Sequence, residues 1–411
     1  MIDISLRARV KRVYPCNQIL KRLAKGVRKN FRADGEADIV KLVARRIHVL
    51  RQLKRQQSHE ELTEPFFARL IKSCRYALKY ISGENRMKAW QKIMLAAVAA
   101  TIAVIAGTSA YLDFSPTPRL TISTTTSLYD TGLLDAIKAQ YQATHKVDIY
   151  FSPQGTGVAL ANAAAGEADL VLVHAPSSEY PYLADGILVC RKIIAWNYFA
   201  IVGPSSDPAK ITGKNATEAL KSILAFGRNQ TGTIIWVSRN DASGTYTKEV
   251  SLWKSAGYNW TTISKESWFT STGQGMGATL QVTDQKNAYT LSDIGTYLEF
   301  YQSGTVHLAA LTKGPDYSLL NVYSVYAVNP QKVSNASFSQ AITFIEWLVS
   351  DAGQQVISTY GNYSQPLFYG AVQPLRNNSP QPDVSWIRQY AFFNGTECPT
   401  QYQDDHQELY P

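Results

Sequence analysis

Cysteine and histidine are scarce in this chain, and neither is clustered. The four cysteines, Cys16, Cys74, Cys190 and Cys398, stand far apart, which excludes a zinc site built on closely spaced thiolates. His145, His174 and His307 are scattered, and His174 has no second histidine or carboxylate at metal-ligand spacing. It closes the apolar run Val171-Leu172-Val173 and reads as a structural histidine. Ser243-Gly244 lacks the Gly-x-Ser-x-Gly pattern of a nucleophile elbow. The chain has no internal repeat. Nothing in it has the pattern of an acid, base and nucleophile set, so an enzyme is not expected.

Charge is plentiful but segregated. Residues 1–93 hold 23 Lys+Arg against 8 Asp+Glu, a net of +15, whereas residues 94–411 hold 18 against 24, a net of −6. Between the two lies Ile93–Leu112, IMLAAVAATIAVIAGTSAYL, with no charged residue. About 20 such residues cross a bilayer as a helix. Lys88 and Lys92 before the run, and Asp113 after it, put the N-terminus in the cytoplasm and residues 113–411 outside the cell. A secretory signal that begins at Met87 and ends near Thr108-Ser109-Ala110 is a second reading, under which residues 1–86 are not made. A buried core helix is a third. All N-glycosylation sequons follow the run, at Asn215, Asn229, Asn259, Asn335, Asn362, Asn377 and Asn394, which fits an exported glycoprotein. An outside location permits a Cys190–Cys398 disulfide and leaves Cys16 and Cys74 reduced. Residues 1–92 read as basic helices, with apolar stripes such as Ile39, Leu42, Val43, Ile47 and Leu50. Beside a membrane such helices lie on anionic lipid, and no motif supports nucleic-acid binding.

After the linker 113–118 (DFSPTP), strand and helix signals alternate. Strands are predicted at Leu120–Ser123, Val147–Phe151, Leu170–Val173, Phe199–Val202, Ile234–Val237, Ala288–Leu291 and Val322–Val328. Helices are predicted at Val158–Ala165, Thr247–Ala256, Met276–Thr283, Thr296–Gln302 and Phe338–Ser350. The alternation predicts an α/β fold with largely parallel sheets. Residues 371–411 are a tail rich in Pro, Asn, Gln and aromatics, whose Trp386–Phe393 segment has the composition to pack on the body.

Four turns at helix starts carry hydroxyls or glycines: Thr124–Ser127, Gln154–Gly157, Ser238–Thr245 and Thr272–Gly277. Bare N–H groups at helix starts, hydroxyls, and glycines that let a ligand approach the backbone together suit an anion. Ser127 and Asp130 have the spacing of a capping box. Arg239 is the only cation within these turns, and its fork of donors matches a tetrahedral oxyanion. Its alternative is an ion pair with Asp241 or Glu249. Asp130 and Asp241 bear on selectivity. A protonated phosphate needs an acceptor, whereas a fully ionised dianion needs donors only.

These motifs resemble the tungstate-binding receptors of ABC importers. The resemblance runs in order through about residues 119–370. It is carried by TTTSLYDTGLLDAI (124–137), GTG (155–157), GEADLVLVHAP (166–176), FAIVGPSSDPA (199–209), SRNDASGTYTKEVSLW (238–253), GQGMGATL (273–280), AYTLSDIGTYL (288–298) and NVYSVYAVNP (321–330). It implies a two-lobed, type II-like periplasmic-binding-protein fold, preceded here by the all-α basic region (1–92) and the transmembrane helix (93–112). Lobe one would comprise 119–198 and 328–370, and lobe two 199–327. The crossings would lie near Tyr198–Val202 and Asn321–Val328. The ligand positions implied are Thr125, Thr126, Ser127, Thr156, Arg239, Ser243, Gly244 and Thr245, with GQGMG giving backbone or lobe-closing contacts. Asn240-Asp241-Ala242 stands where relatives usually carry Gly-Asp-Asp or similar. The function implied is a membrane-anchored, single-pass extracellular receptor that passes tungstate or molybdate to an ABC permease and its ATPase. No cofactor is implied. The alternatives are an oxyanion sensor signalling through the basic helices, a phosphate or sulfate receptor, and an enzyme acting on a phosphorylated compound.

Overall fold

The longest strand, Leu188–Gly203, is buried along its whole length except at Tyr198, which is half-buried. The rest of the fold is arranged along it. The computed structural model describes residues 117–230, 232–361 and 366–410, and Pro116–Pro411 forms one compact unit.

The chain enters through β1 (Arg119–Thr125), the short helix α1 (Thr126–Tyr129) and α2 (Leu133–Gln142). It continues through β2 (Asp148–Gln154), α3 (Thr156–Ala164), β3 (Leu170–Val173) and α4 (Pro176–Ala184) to the long strand, β4. Then come α5 (Ala216–Arg228), β5 (Trp236–Ser238), α6 (Gly244–Ser255), α7 (Trp260–Ile263), β6 (Phe269–Ser271) and α8 (Met276–Gln285). β7 (Thr290–Asp293), α9 (Ile294–Gln302) and β8 (Ala309–Lys313) precede β9 (Leu320–Val328), which returns beside β4. The chain closes with α10 (Phe338–Val349), α11 (Asp351–Thr359), β10 (Tyr369–Gly370), α12 (Val372–Arg376) and α13 (Pro382–Ala391).

β4 changes partners part-way along. Up to Tyr198 it pairs with β9; from Phe199 it pairs with β7 and β8. One sheet therefore runs β10-β4-β9-β3-β1-β2. The other is built on the far end of β4, with β5 reaching β7 through the Trp236–Tyr289 bridge and β6 beside β5. The expectation of largely parallel sheets is corrected. Among the described residues parallel pairing is confined to β1–β2, β1–β3, β5–β6 and the single Trp236–Tyr289 bridge, and every pair made by β4 or β9 is antiparallel. The chain leaves the first sheet inside β4 and returns to it between β8 and β9, and both β4 and β9 run against their neighbours.

Leu134, Ile137 and Tyr141 of α2 share a core with Ile345 and Leu348 of α10 that continues to Val202 of β4 and Leu280 of α8, whereas Trp236, Trp253, Trp268 and Tyr289 dominate a separate cluster on the second sheet. The amphipathic spacing of α2 and α5 is what places their apolar faces there.

The first half of β4 eluded the sequence pattern because it contains Arg191 and Lys192. Cys190 takes a left-handed φ of 54° at an irregularity in the β4–β9 register, which turns Arg191 inward. Its guanidinium is fully buried. Nε donates to Tyr326 Oη (2.7 Å), Nη2 to Ser324 Oγ (2.8 Å), and Nη1 to the carbonyls of Ala391 (2.6 Å) and Glu397 (2.9 Å). Glu179 Oε2 lies 3.8 Å away. Arg191 thus ties the C-terminal segment to the sheet, and Val384, Ile387 and Ala391 pack on Ile193, Leu320 and Val322.

The disulfide expectation is corrected as well: Cys190 and Cys398 are buried free thiols. Each donates instead to a tail carbonyl, Cys190 Sγ to Gln403 (3.3 Å) and Cys398 Sγ to Tyr402 (3.6 Å). The basic helices of 1–92, the apolar run 93–112 and nearly all of the linker lie outside the described residues. Among the described residues no helix is long and apolar enough to cross a membrane.

Replacing one member of a buried ion pair strands the other. Arg191→Met is expected to lower unfolding stability by about 3–5 kcal/mol, read from the shift in urea midpoint.

Candidate functional site

Three helix N-termini and the α1 turn converge where the two sheets face each other. Gly157 N–H of α3 donates to Ala242 O in the β5–α6 loop at 3.2 Å. Gly244, the first residue of α6, sits so close to α3 that an added Cβ would lie 3.2 Å from Thr156 Oγ1 and 3.1 Å from the His174 ring. Gly275, which caps α8, lies over Thr126. At Gly244 a side chain would press His174 and Thr156 apart by a few tenths of an ångström, so glycine lets this helix start close against them.

The β5–α6 loop is shaped by two left-handed residues, Asn240 (φ 48°) and Ala242 (φ 56°). They turn the chain so that Arg239 points inward, 1% exposed. Its Nε donates to Asp241 Oδ2 (3.2 Å), and its Nη2 is shared between Asp241 and Thr126 Oγ1, the latter at 3.0 Å. Asp241 therefore grips one edge of the guanidinium. Nη1, on the other edge, is buried and has no partner, as are Thr156 Oγ1 and Thr245 Oγ1. Buried donors without partners are rare, because each forfeits its hydration. Here three come from α3, α6 and the loop that feeds α6.

Of the remaining candidates, Thr125 accepts from Leu128 N–H (3.3 Å) and caps α1. Ser243 accepts from Tyr246 N–H (3.1 Å) and caps α6. Ser127 Oγ lies 3.1 Å from His174 Nε2 and 3.3 Å from Thr125 Oγ1. The Ser127–Asp130 capping box is not formed. Thr125 is the cap of α1, and α2 begins after Gly132 (φ 76°), because the chain turns once before the longer helix starts. The backbone of Asp130 closes α1, its N–H donating to Thr126 O at 2.8 Å, while its carboxylate accepts the Gly277 N–H at the start of α8 rather than capping α2. Burial raises its pKa, opposed by Arg239 and by that hydrogen bond.

His174 belongs to this cluster, a placement the sequence reading missed. It is buried, stacks on Tyr323, and bonds through Nδ1 to Asn321 Oδ1 at 2.8 Å. Desolvation pushes its pKa down to about 4, so the ring is neutral near pH 7. Its place at the end of a strand that feeds the cleft was the available signal. Behind the loop, Glu249 accepts from Ser238 Oγ (2.7 Å), Trp236 Nε1 (2.9 Å) and Trp260 Nε1 (3.0 Å). It is therefore Asp241 alone, of the two acids considered, that pairs with Arg239.

The carboxylates of Asp130 and Asp241 are thus engaged by protein donors, and Asp293 behind them accepts from Thr296. What the pocket has left to offer is a guanidinium edge and hydroxyl groups. Such a set binds an anion that brings acceptors only.

Residues 105–352 match the family model described as PBP superfamily domain. The chain belongs to the PBP superfamily. Among PBP-fold relatives, the tungstate-binding protein TupA of Campylobacter jejuni is 37% identical over 58% of this chain and 86% of its own length. The tungstate ABC transporter structure from Geobacter sulfurreducens is 39% identical, with a TM-score of 0.53, covering 59% of this chain and 98% of that one. TupA from Desulfovibrio alaskensis G20 is 35% identical, with a TM-score of 0.53, over 62% and 98%. The PBP fold accounts for the two crossings between the sheets described above.

Burial raises the Glu249 pKa from 4.5 to about 7. The folded state then holds its proton more tightly than the unfolded chain. The associated stability is full below pH 4.5 and is lost as pH rises through about 7. Relative to Glu249→Gln, the parent is expected to lose on the order of 3 kcal/mol across that range, measured by denaturant unfolding at a series of pH values.

Proposed function

We propose that the protein is a solute receptor of an ABC importer that captures tungstate or molybdate between its lobes. The observation that carries this reading is the set of buried, unpartnered donors: Arg239 Nη1, Thr156 Oγ1 and Thr245 Oγ1. Support comes from Asp130 and Asp241, whose carboxylates are engaged by Gly277 N–H and Arg239. A lining whose Asp130 and Asp241 carboxylates are both engaged favours a fully ionised tetrahedral dianion over a phosphate that carries a proton. The tungstate-binding relatives support the same choice of ligand. No bond-making residues are invoked; the protein binds and releases.

Binding and closure are one event in this reading. Arg239 to Thr126, Gly157 to Ala242, Asp130 to Gly277, and Thr296 Oγ1 to Ser127 O at 2.9 Å form together as the cleft shuts. The anion favours the closed state by the contacts it makes there and nowhere else. Outside the cell, the closed receptor would deliver its anion to a permease driven by an ATPase. The uncharged run Ile93–Leu112 and the sequons beyond it support a single-pass anchor with residues 113–411 extracellular and the basic helices against cytoplasmic lipid.

Calorimetry of the full-length protein against tungstate, molybdate, sulfate and phosphate tests the reading. Tungstate or molybdate is expected to bind tightest. Arg239→Ala is expected to weaken that binding on the order of a hundredfold or more, with an unchanged circular-dichroism spectrum. Affinity unaltered by this substitution removes Arg239 from the site.

A further inference from the structure

We infer that His174 decides whether the Ser127 hydroxyl meets a bound oxyanion as donor or as acceptor, and that capture of a fully ionised oxyanion draws one proton onto His174. The inference rests on the oxyanion reading of the same cleft.

A backbone carbonyl only accepts. Leu367 O therefore takes Asn197 Nδ2 (3.0 Å), which leaves Asn197 Oδ1 to accept Asn321 Nδ2 (2.8 Å). The same Asn321 Nδ2 reaches Tyr323 Oη at 2.9 Å. Asn321 Oδ1 then faces His174 Nδ1 at 2.8 Å, so Nδ1 carries a hydrogen. Flipping Asn321 alone sets N–H against N–H at His174 and oxygen against oxygen at Asn197. A neutral ring with its hydrogen on Nδ1 has a bare Nε2. Ser127 Oγ, 3.1 Å away, donates to it.

In that state the single hydrogen of Ser127 is spent on His174, the nearer of its two partners, the Thr125 hydroxyl at 3.3 Å donates to Ser127 rather than accepting from it, and the remaining lone pair of Ser127 faces the cleft. A fully ionised oxyanion presents lone pairs too. The ring is kept neutral by burial, and Arg239 from the β5–α6 loop and Lys248 from α6 oppose its charge. Tyr323 on β9 stacks against it and Asn321 favours the charged form. An arriving anion reverses the balance, because a nearby negative charge stabilises the imidazolium. A proton from solvent then bonds to Nε2. Nε2–H donates to Ser127 Oγ, and the freed Ser127 hydrogen turns to the anion. The ring gains one positive charge and no other bond changes. An oxyanion that carries its own hydrogen donates to Ser127 directly and needs no such uptake. His174 is in this sense a positioning residue for selectivity, acting through Ser127.

Calorimetry of the full-length protein with tungstate at pH 6, in buffers of different ionisation enthalpy, counts the protons. About one proton taken up per anion is expected, with affinity falling up to about tenfold per pH unit as pH rises. His174→Gln is expected to bind with no uptake. Tungstate binding without uptake in the parent, or uptake unchanged in His174→Gln, overturns the inference and leaves the oxyanion reading standing. Failure of tungstate, molybdate, sulfate and phosphate all to bind the parent removes that reading and the inference with it. Should His174→Gln fail to fold, ¹⁵N imidazole shifts of the parent decide. Two protonated ring nitrogens in the complex and one in the free protein support the inference, and an unchanged ring overturns it.

Discussion

The Arg239 guanidinium is the element on which the rest of the cleft depends. It is removed from water, held along one edge by Asp241, and left with an unused donor on the other. A buried, incompletely paired cation is costly to fold around. The surroundings offset that cost without completing the pairing: Glu249 and its tryptophans brace the loop from behind, and two left-handed residues turn it. An anion that completes the set is therefore favoured by more than its own contacts. It would also relieve the desolvation of the unpaired Arg239 Nη1.

The glycines serve the same end by a different route. Gly155 brings the start of α3 nearer to the Asp241 carbonyl than a side chain allows, and Gly244 sets the start of α6 tightly against Thr156 and His174. The donors reach inward from several separate segments, so no single helix start makes the site. The spacing between these elements, more than any one of them, defines the site.

Much of this was legible in the sequence, for local reasons. The four hydroxyl- and glycine-rich turns announce helix starts by residue type alone, and Arg239 stands out as their one cation. β3 follows its apolar run residue for residue. What escaped did so because long-range pairing decided it. The first half of β4 hid behind Arg191 and Lys192, whose burial makes sense only once Tyr326, Ser324 and the C-terminal carbonyls are in place. Asp130 looked like a local cap, yet its partner lies at Gly277. His174 looked structural because Asn321, its partner, is far along the chain. The two thiols permitted a disulfide by compartment, but both are satisfied by backbone carbonyls instead.

The position of β9 has a consequence for how the protein comes to be made. β3 finds one neighbour, β1, among residues already synthesised, but its other neighbour is β9. During vectorial emergence of the chain, the edge of the first sheet stays open until all of the second lobe has followed. An open edge rich in Leu and Val is a template for mispairing. The lobe that starts first is thus the one that finishes last, and the second lobe, whose strands and helices are contiguous between the two crossings, is the natural unit to close early.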